Sequence, residues 1–159
     1  MNDVNYDSYI VLSDVRSVHN VGSIFRTADC LGVPCVILVG VTPAPLDRFG
    51  RARSDFAKVS LGAEKTVAWM HFPKMADVFS FLNKKGVYKV AFEIASQSVD
   101  YREVKIKNPV AFIFGNEVEG LSQSVLKKCD VVAEIPMKGK KESLNISITV
   151  GIGISRLLQ

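Results

Sequence analysis

YIVLSDVRSVHNVGSIFRTADCLGVPCVILVG, residues 9–40, carries three local patterns in a row, and their order decides the fold class. Residues 9–12 are an apolar run rich in β-formers. After the polar SDVRSVHN come Val21, Ile24, Phe25, Ala28 and Leu31, the i, i+3, i+4, i+7, i+10 spacing of one helix face. Asn20 stands where an N-cap belongs, and Gly32 follows the last periodic residue as a C-cap. Residues 35–39, CVILV, read as a strand buried on both faces, between Pro34 and Gly40. Strand, helix and strand in so short a span make a βαβ unit, which predicts a parallel sheet flanked by helices, an α/β fold.

Further along, the pattern continues. A Pro- and Arg-rich connection leads to a predicted strand at residues 66–70. Met75, Val78, Phe79 and Leu82 form a helical stripe that ends near Gly86. Residues 88–94 and 110–114 read as strands, 122–128 as a short helix capped by Ser122, and 131–135 as a last strand ended by Pro136. Residues 145–155, NISITVGIGIS, satisfy two periods at once. Apolar and small polar residues alternate as in a strand, yet Ile146, Val150, Gly153, Ile154 and Leu157 share one helical face. As a helix, with Ile148 and Ile152 on the other side, the segment is apolar nearly all round and demands burial on two faces, for example between the sheet and a second subunit.

With 159 residues, 48% hydrophobic and 23% charged, the chain has the makings of one well-buried core, and a single domain over residues 1–159 is expected. The start, MNDVNYDSYIVL, lacks a basic region followed by an apolar one, and no run approaches the length of a membrane span, so a soluble cytoplasmic protein is expected. Cys30, Cys35 and Cys129 form no CxxC pair and read as small core residues in a reducing compartment; no metal site is expected. The net charge of +4 permits a polyanionic partner. Arg48, Arg51, Arg53 and Lys58 crowd one segment, against Asp47 and Asp55, and Lys138, Lys140 and Lys141 crowd another. Both clusters suit a phosphate backbone, as well as a plainly solvated surface.

Three Gly/Asn/polar clusters adjoin apolar runs: NVGSIFRTAD at 20–29, FGNEVEGLS at 114–122 and IPMKGKKESLNIS at 135–147. Loops at strand ends are where an open α/β sheet offers backbone groups to a ligand. In this order, and ending at the C-terminus, the three resemble the signature motifs of the SpoU, or TrmH-like, branch of the SPOUT RNA methyltransferases, over residues from about Asp14 to the end. The resemblance implies a parallel α/β fold with a deep C-terminal trefoil knot, a homodimer, and S-adenosylmethionine (AdoMet) as donor. It implies methylation of a ribose 2′-OH in tRNA or rRNA, without metal. It also decides the C-terminal conflict for a helix starting near Asn145, with Ser143 and Asn145 able to satisfy its free N–H groups.

Methyl transfer to oxygen is an in-line displacement, so positioning is the protein's main task. By resemblance Arg26 serves the substrate hydroxyl; because a guanidinium stays protonated, it is read as orienting the ribose and its phosphate and stabilising developing oxyanion charge rather than as a base. Its bland alternative is a solvated helix arginine. Asn20 fixes the loop or the ribose, and Gly22 allows close approach of backbone or ligand. In the second motif Gly115 lets the backbone approach the adenosine, Glu117 binds a polar group or holds the loop, and Asn116 and Gly120 are turn residues, Gly120 with positive φ. In the third, Ile135, Met137 and Leu144 are apolar walls for adenine, with Ser143 and Asn145 near the ribose hydroxyl; Glu93, Ile94 and Ala95 form another pocket edge. A P-loop is excluded by the missing GK[ST] ending and the acidic loop, and a dinucleotide enzyme by the missing GxGxxG. An RNA-binding or assembly protein that has lost catalysis is the remaining alternative, opposed by the intact Arg26, Glu117, Ser143 and Asn145. Charge reversal at Arg51 and Arg53 is expected to weaken RNA binding and spare AdoMet.

Overall fold

The computed structural model describes residues 5–159; residues 1–4, part of the N-terminal reading and of the single-domain expectation, lie outside the described residues. The chain runs β1 (Ser8–Ser13), α1 (Val18–Leu31), β2 (Cys35–Val39), α2 (Ser54–Ser60), β3 (Ala68–Phe72), α3 (Met75–Lys84), β4 (Tyr88–Phe92), β5 (Val99–Asp100), β6 (Val110–Phe114), α4 (Gln123–Leu126), β7 (Val131–Glu134) and α5 (Ile146–Leu157), with short 3-10 turns at Ala63–Lys65 and Tyr101–Glu103. Among the described residues the strands form one sheet of seven in the order β3-β2-β1-β6-β4-β7-β5. Every pairing is parallel, as the βαβ reading predicts.

Alternation along the central strands sorts the core into two layers. Ile10 and Leu12 of β1, Val36 and Leu38 of β2, and Phe112 and Phe114 of β6 face α1, α2 and α5. Tyr9 and Val11, Cys35 and Ile37, and Ala111 and Ile113 face α3 and α4 on the other side. Central strands with both faces covered must be apolar throughout, which is why CVILV shows no alternation.

The C-terminal segment is helical. Asn145 caps it, its side-chain oxygen accepting from the Ser147 N–H at 2.9 Å, and Ile146, Val150, Gly153 and Ile154 are buried. Ile148 and Ile152 stay 50% and 36% exposed, so the chain by itself buries one of the two apolar faces. Ser143 takes no part in the cap.

Other expectations shift. Asn20 is not the N-cap of α1: the helix starts at Val18, and the Ser17 hydroxyl accepts from the Asn20 N–H at 3.2 Å, which leaves the Asn20 side chain to work elsewhere. The strand expected at 66–70 lies at Ala68–Phe72, because Thr66 and Val67 close the preceding turn on the Ala63 carbonyl. The strand expected at 88–94 stops at Phe92, and the one at 131–135 at Glu134. The short helix is Gln123–Leu126; Ser122 precedes it without a side-chain capping bond. The connection after β2 contains a helix the periodicity does not reveal, since α2 buries only Phe56 and Ser60 and so has no stripe. Cys35 is a core residue and Cys129 half-buried, but Cys30 is exposed.

Candidate functional site

Parallel strands end together, so the carboxyl ends of β4, β6 and β7 open on one edge of the sheet. A cavity of about 550 Å³ lies there. Its walls are Phe92, Glu93 and Ile94 at the end of β4, residues 114–120 at the end of β6, Glu134, Ile135 and Met137 at the end of β7, and Ser143, Leu144 and Asn145 leading into α5. The second and third motifs therefore meet across one space.

The first motif joins them by hydrogen bonds rather than by lining the cavity. Asn20 Nδ2 donates to Glu117 Oε1 at 2.9 Å, and Asn145 Nδ2 donates to Asn20 Oδ1 at 3.2 Å. A carboxylate can only accept, so Glu117 fixes which end of the Asn20 amide faces it, and that choice turns the amide oxygen toward Asn145. Residues far apart in the chain, one from each motif, thus form one polar chain.

The second motif is a closed turn. Asn116 Oδ1 accepts from the Val118 and Glu119 N–H groups, while its Nδ2 reaches the Asp14 carbonyl at 2.9 Å. Gly120 has φ +65°, as expected, and a Cβ on Gly115 would come within 2.5 Å of the Gly120 carbonyl carbon. Gly115 thus serves backbone on backbone, a tighter constraint than approach to a ligand. Glu93 secures the far end: its carboxylate accepts from the Leu121 N–H at 2.7 Å and from the Ile94 N–H at 3.0 Å. Asp14, not among the site residues the sequence suggests, holds the neighbouring loops just after β1 with φ +54°, accepting from the Val41 N–H at 3.1 Å. Positive φ at an aspartate leaves no signal in a single sequence.

Of the candidate residues, Glu93, Ile94, Gly115, Asn116, Glu117, Gly120, Ile135, Met137, Ser143, Leu144 and Asn145 line the cavity. Ala95 does not; it packs against the core on the α3 side. Arg26 also lies off the wall, exposed on α1. Six residues beyond Asn20, its side chain leaves the helix about a third of a turn away around the axis. Gly22 admits α2, whose Val59 Cβ would lie 3.0 Å from a Cβ placed there. Arg48, Arg51, Lys58, Lys138, Lys140 and Lys141 are exposed and Arg53 partly so; Arg51 pairs with Asp47 at 2.8 Å and Arg53 with Asp55 at 2.7 Å.

Charge selects the kind of ligand. Glu93, Glu117, Glu119, Glu134 and Glu142 line the cavity, and no lysine or arginine does. Such a lining opposes a polyphosphate and suits a cation with an apolar body, for which Phe114, Ile135, Met137 and Leu144 supply walls. Among the described residues no group of three or more His, Cys, Asp or Glu is placed to hold a metal ion, and no helix is long and apolar enough to cross a membrane.

Comparison with known proteins agrees with this geometry. The chain is 34% identical to the 23S rRNA (guanosine-2'-O-)-methyltransferase RlmB of Ralstonia nicotianae over 143 residues, covering 90% of this chain and 55% of that protein. It superposes on an AdoMet-bound rRNA methyltransferase from Sinorhizobium meliloti with TM-score 0.85 at 30% identity, covering 97% of this chain and 56% of that one. A second structure, which concerns 2-OH methylation of C/U34 on tRNA, matches with TM-score 0.76 at 25% identity and covers 93% of this chain and 91% of that one. The chain spans about half the length of the curated relatives it matches, 56% and 55% in two of them. The profile of the SpoU rRNA Methylase family matches residues 7–155, nearly the whole sequence, and the chain belongs to that family.

Proposed function

We propose that this chain is an AdoMet-dependent RNA methyltransferase that transfers a methyl group to a ribose 2′-OH of tRNA or rRNA. The observation that carries the reading is the glutamate-lined, lysine- and arginine-free cavity at the junction of the three motifs. AdoMet, when bound, supplies an electrophilic methyl group on a positively charged sulfur. Ile135, Met137 and Leu144 would flank its adenine, residues 115–120 its polar edge, and Glu119 and Glu142, which make no ion pair among the described residues, its positive charge. The Asn145–Asn20–Glu117 chain keeps the donor and acceptor sides of the site in register, which is what in-line displacement requires.

Arg26, exposed and without an ion pair among the described residues, is free to meet RNA and to orient the ribose and its phosphate from outside the cavity. Ser143, at the cavity mouth, faces the same hydroxyl. The basic residues Arg48, Arg51, Arg53, Lys58, Lys138, Lys140 and Lys141 contact the phosphate backbone. The tRNA alternative draws support from the structure that concerns 2-OH methylation of C/U34 on tRNA, of which this chain covers 91%. The exposed Ile148 and Ile152 of α5, on the helix that meets α1 at Gly151 and Thr27, next to Arg26, support a homodimer. Membership of the family supports a C-terminal segment that threads a deep trefoil knot, and a cytoplasmic location.

Incubation with labelled AdoMet and RNA lacking its modifications, followed by nucleoside analysis, tests the reading. A 2′-O-methylated nucleoside that disappears in Arg26→Ala is the expected result. Binding of AdoMet and RNA without transfer would support the inactive RNA-binding alternative instead. Absence of AdoMet binding would refute the assignment of the cavity.

A further inference from the structure

Residues 45–53, between β2 and α2, form a closed finger rather than a slack connection. Leu46 and Ala52 pair as an antiparallel bridge, the Arg53 N–H donates to the Pro45 carbonyl at 3.0 Å, and the Asp47 N–H to the Arg51 carbonyl at 2.9 Å. Asp47 fills the tip: its carboxylate accepts from the Phe49 N–H at 2.8 Å, the Arg51 N–H at 3.0 Å and Arg51 Nε at 2.8 Å. These bonds with Arg51 hold the Asp47 carboxyl below the usual range. All this local order presents one large apolar ring to solvent, because Phe49 is 66% exposed. Two guanidinium groups rest on that ring, Arg48 at 4.7 Å and Arg51 at 5.1 Å from its centre.

The finger also stands on the functional edge of the molecule. It leaves the carboxyl end of β2, two strands from β6 in the parallel sheet, roughly 10 Å along the edge that bears the cavity. Its far end enters α2, which is docked on the motif helix at Gly22, two positions from Asn20. An exposed aromatic ring framed by arginines, on a pre-ordered support beside a methyl-transfer site, has the chemistry of a nucleobase platform. Bases stack on aromatic rings and on guanidinium planes alike, and the cations neutralise the adjoining phosphates.

We propose that Phe49 is a stacking platform for an unpaired base of the RNA substrate, with Arg48 and Arg51 holding the phosphates on either side. The proposal rests on the RNA methyltransferase reading above and adds to it the single-stranded character of the RNA near the target. A stacked base also sets how the strand crosses the cavity mouth, so Phe49 is a positioning residue rather than a catalytic one.

The test compares Phe49→Leu and Phe49→Tyr with the unaltered protein on two RNAs of equal base composition, a short hairpin with an aminopurine in its unpaired loop and a fully paired duplex. AdoMet affinity serves as the folding control. Phe49→Leu is expected to lose about tenfold in hairpin affinity, the lower part of the range for one stacked base, with duplex and AdoMet binding unchanged. Phe49→Tyr should restore hairpin affinity and quench the aminopurine, which Phe49→Leu should not. Hairpin affinity unchanged in Phe49→Leu, while the unaltered protein binds, overturns this proposal alone and leaves the ring to a protein contact. An equal loss on hairpin and duplex overturns it too, since stacking needs an unpaired base. If the unaltered protein binds AdoMet but neither RNA, the RNA reading falls and this one with it.

Discussion

Asn20 shows how much a single side chain decides here. Its amide is fixed by Glu117 on one side and Asn145 on the other, so Asn20→Asp replaces a donor with a second acceptor facing a carboxylate. We expect Asn20→Asp to lower stability by about 1 kcal/mol at neutral pH, and the added change Glu117→Gln to recover most of that loss, since the new amide can donate to the carboxylate. Urea denaturation of the single and double variants measures the coupling; additive losses would show the contact to be inert. The cysteines differ in the same residue-level way. Burial pushes the thiols of Cys35 and Cys129 up to about 12, so both stay protonated in the folded protein. Thiol-reagent labelling under mildly alkaline native conditions should reach exposed Cys30 first and the other two only on unfolding. The unfolded chain releases these protons near the ordinary value of 9.0, so stability should fall as pH rises from there toward about 12. A thermal midpoint independent of pH across that window would contradict the burial argument. The sequence leaves Asn20 two roles, a helix cap or a side chain that fixes the loop or the ribose; the Ser17 hydroxyl, three residues earlier, takes the cap and frees the side chain for the loop.

At the scale of the element, α5 contains two glycines with opposite demands. A Cβ on Gly153 would lie 2.5 Å from the Phe92 ring, which cannot retreat because it stacks on Phe114 with centroids 4.9 Å apart. A Cβ on Gly151 would meet nothing nearer than the Thr27 methyl at 3.9 Å. We expect Gly153→Ala to destabilise the fold by about 1–3 kcal/mol through overpacking. In Gly151→Ala the gain in helix propensity should leave stability unchanged or raised by up to about 1 kcal/mol. Denaturation midpoints of the two variants decide it, and stabilisation of both would mean that propensity, not contact, governs each. The same helix marks a boundary of legibility. Residues 145–155 satisfy strand and helix periods equally, and the tie is broken by the Asn145 cap and by the Phe92 surface that waits for Gly153. The helix α2 is invisible for a related reason, since one buried aromatic in seven residues makes no stripe and its place depends on Phe25, whose ring meets Phe56 edge-on at 5.2 Å.

For the molecule as a whole, the open question of the exposed α5 face leads to a direct expectation. Ile148 and Ile152 are each partly bare on a helix whose other side is core. If that face meets a second copy, Ile148→Lys with Ile152→Lys should yield a folded monomer where the unaltered protein sediments as a dimer. Sedimentation with circular dichroism checks both halves, and an unaltered protein that is already monomeric would remove the interface. The parallel α/β plan, α1 and the three motif positions follow from the sequence by itself, because apolar periods, caps and Gly/Asn punctuation are local properties of neighbouring residues. Only the tertiary structure decided which motif residues touch. It joined Asn20 to Glu117 and Asn145, turned Glu93 into the clasp of the Gly120 turn, set Arg26 off the cavity wall and closed the finger around Phe49. Those relations depend on strand order and on packing between segments far apart in the chain, and no spacing along a chain encodes a distance across a sheet.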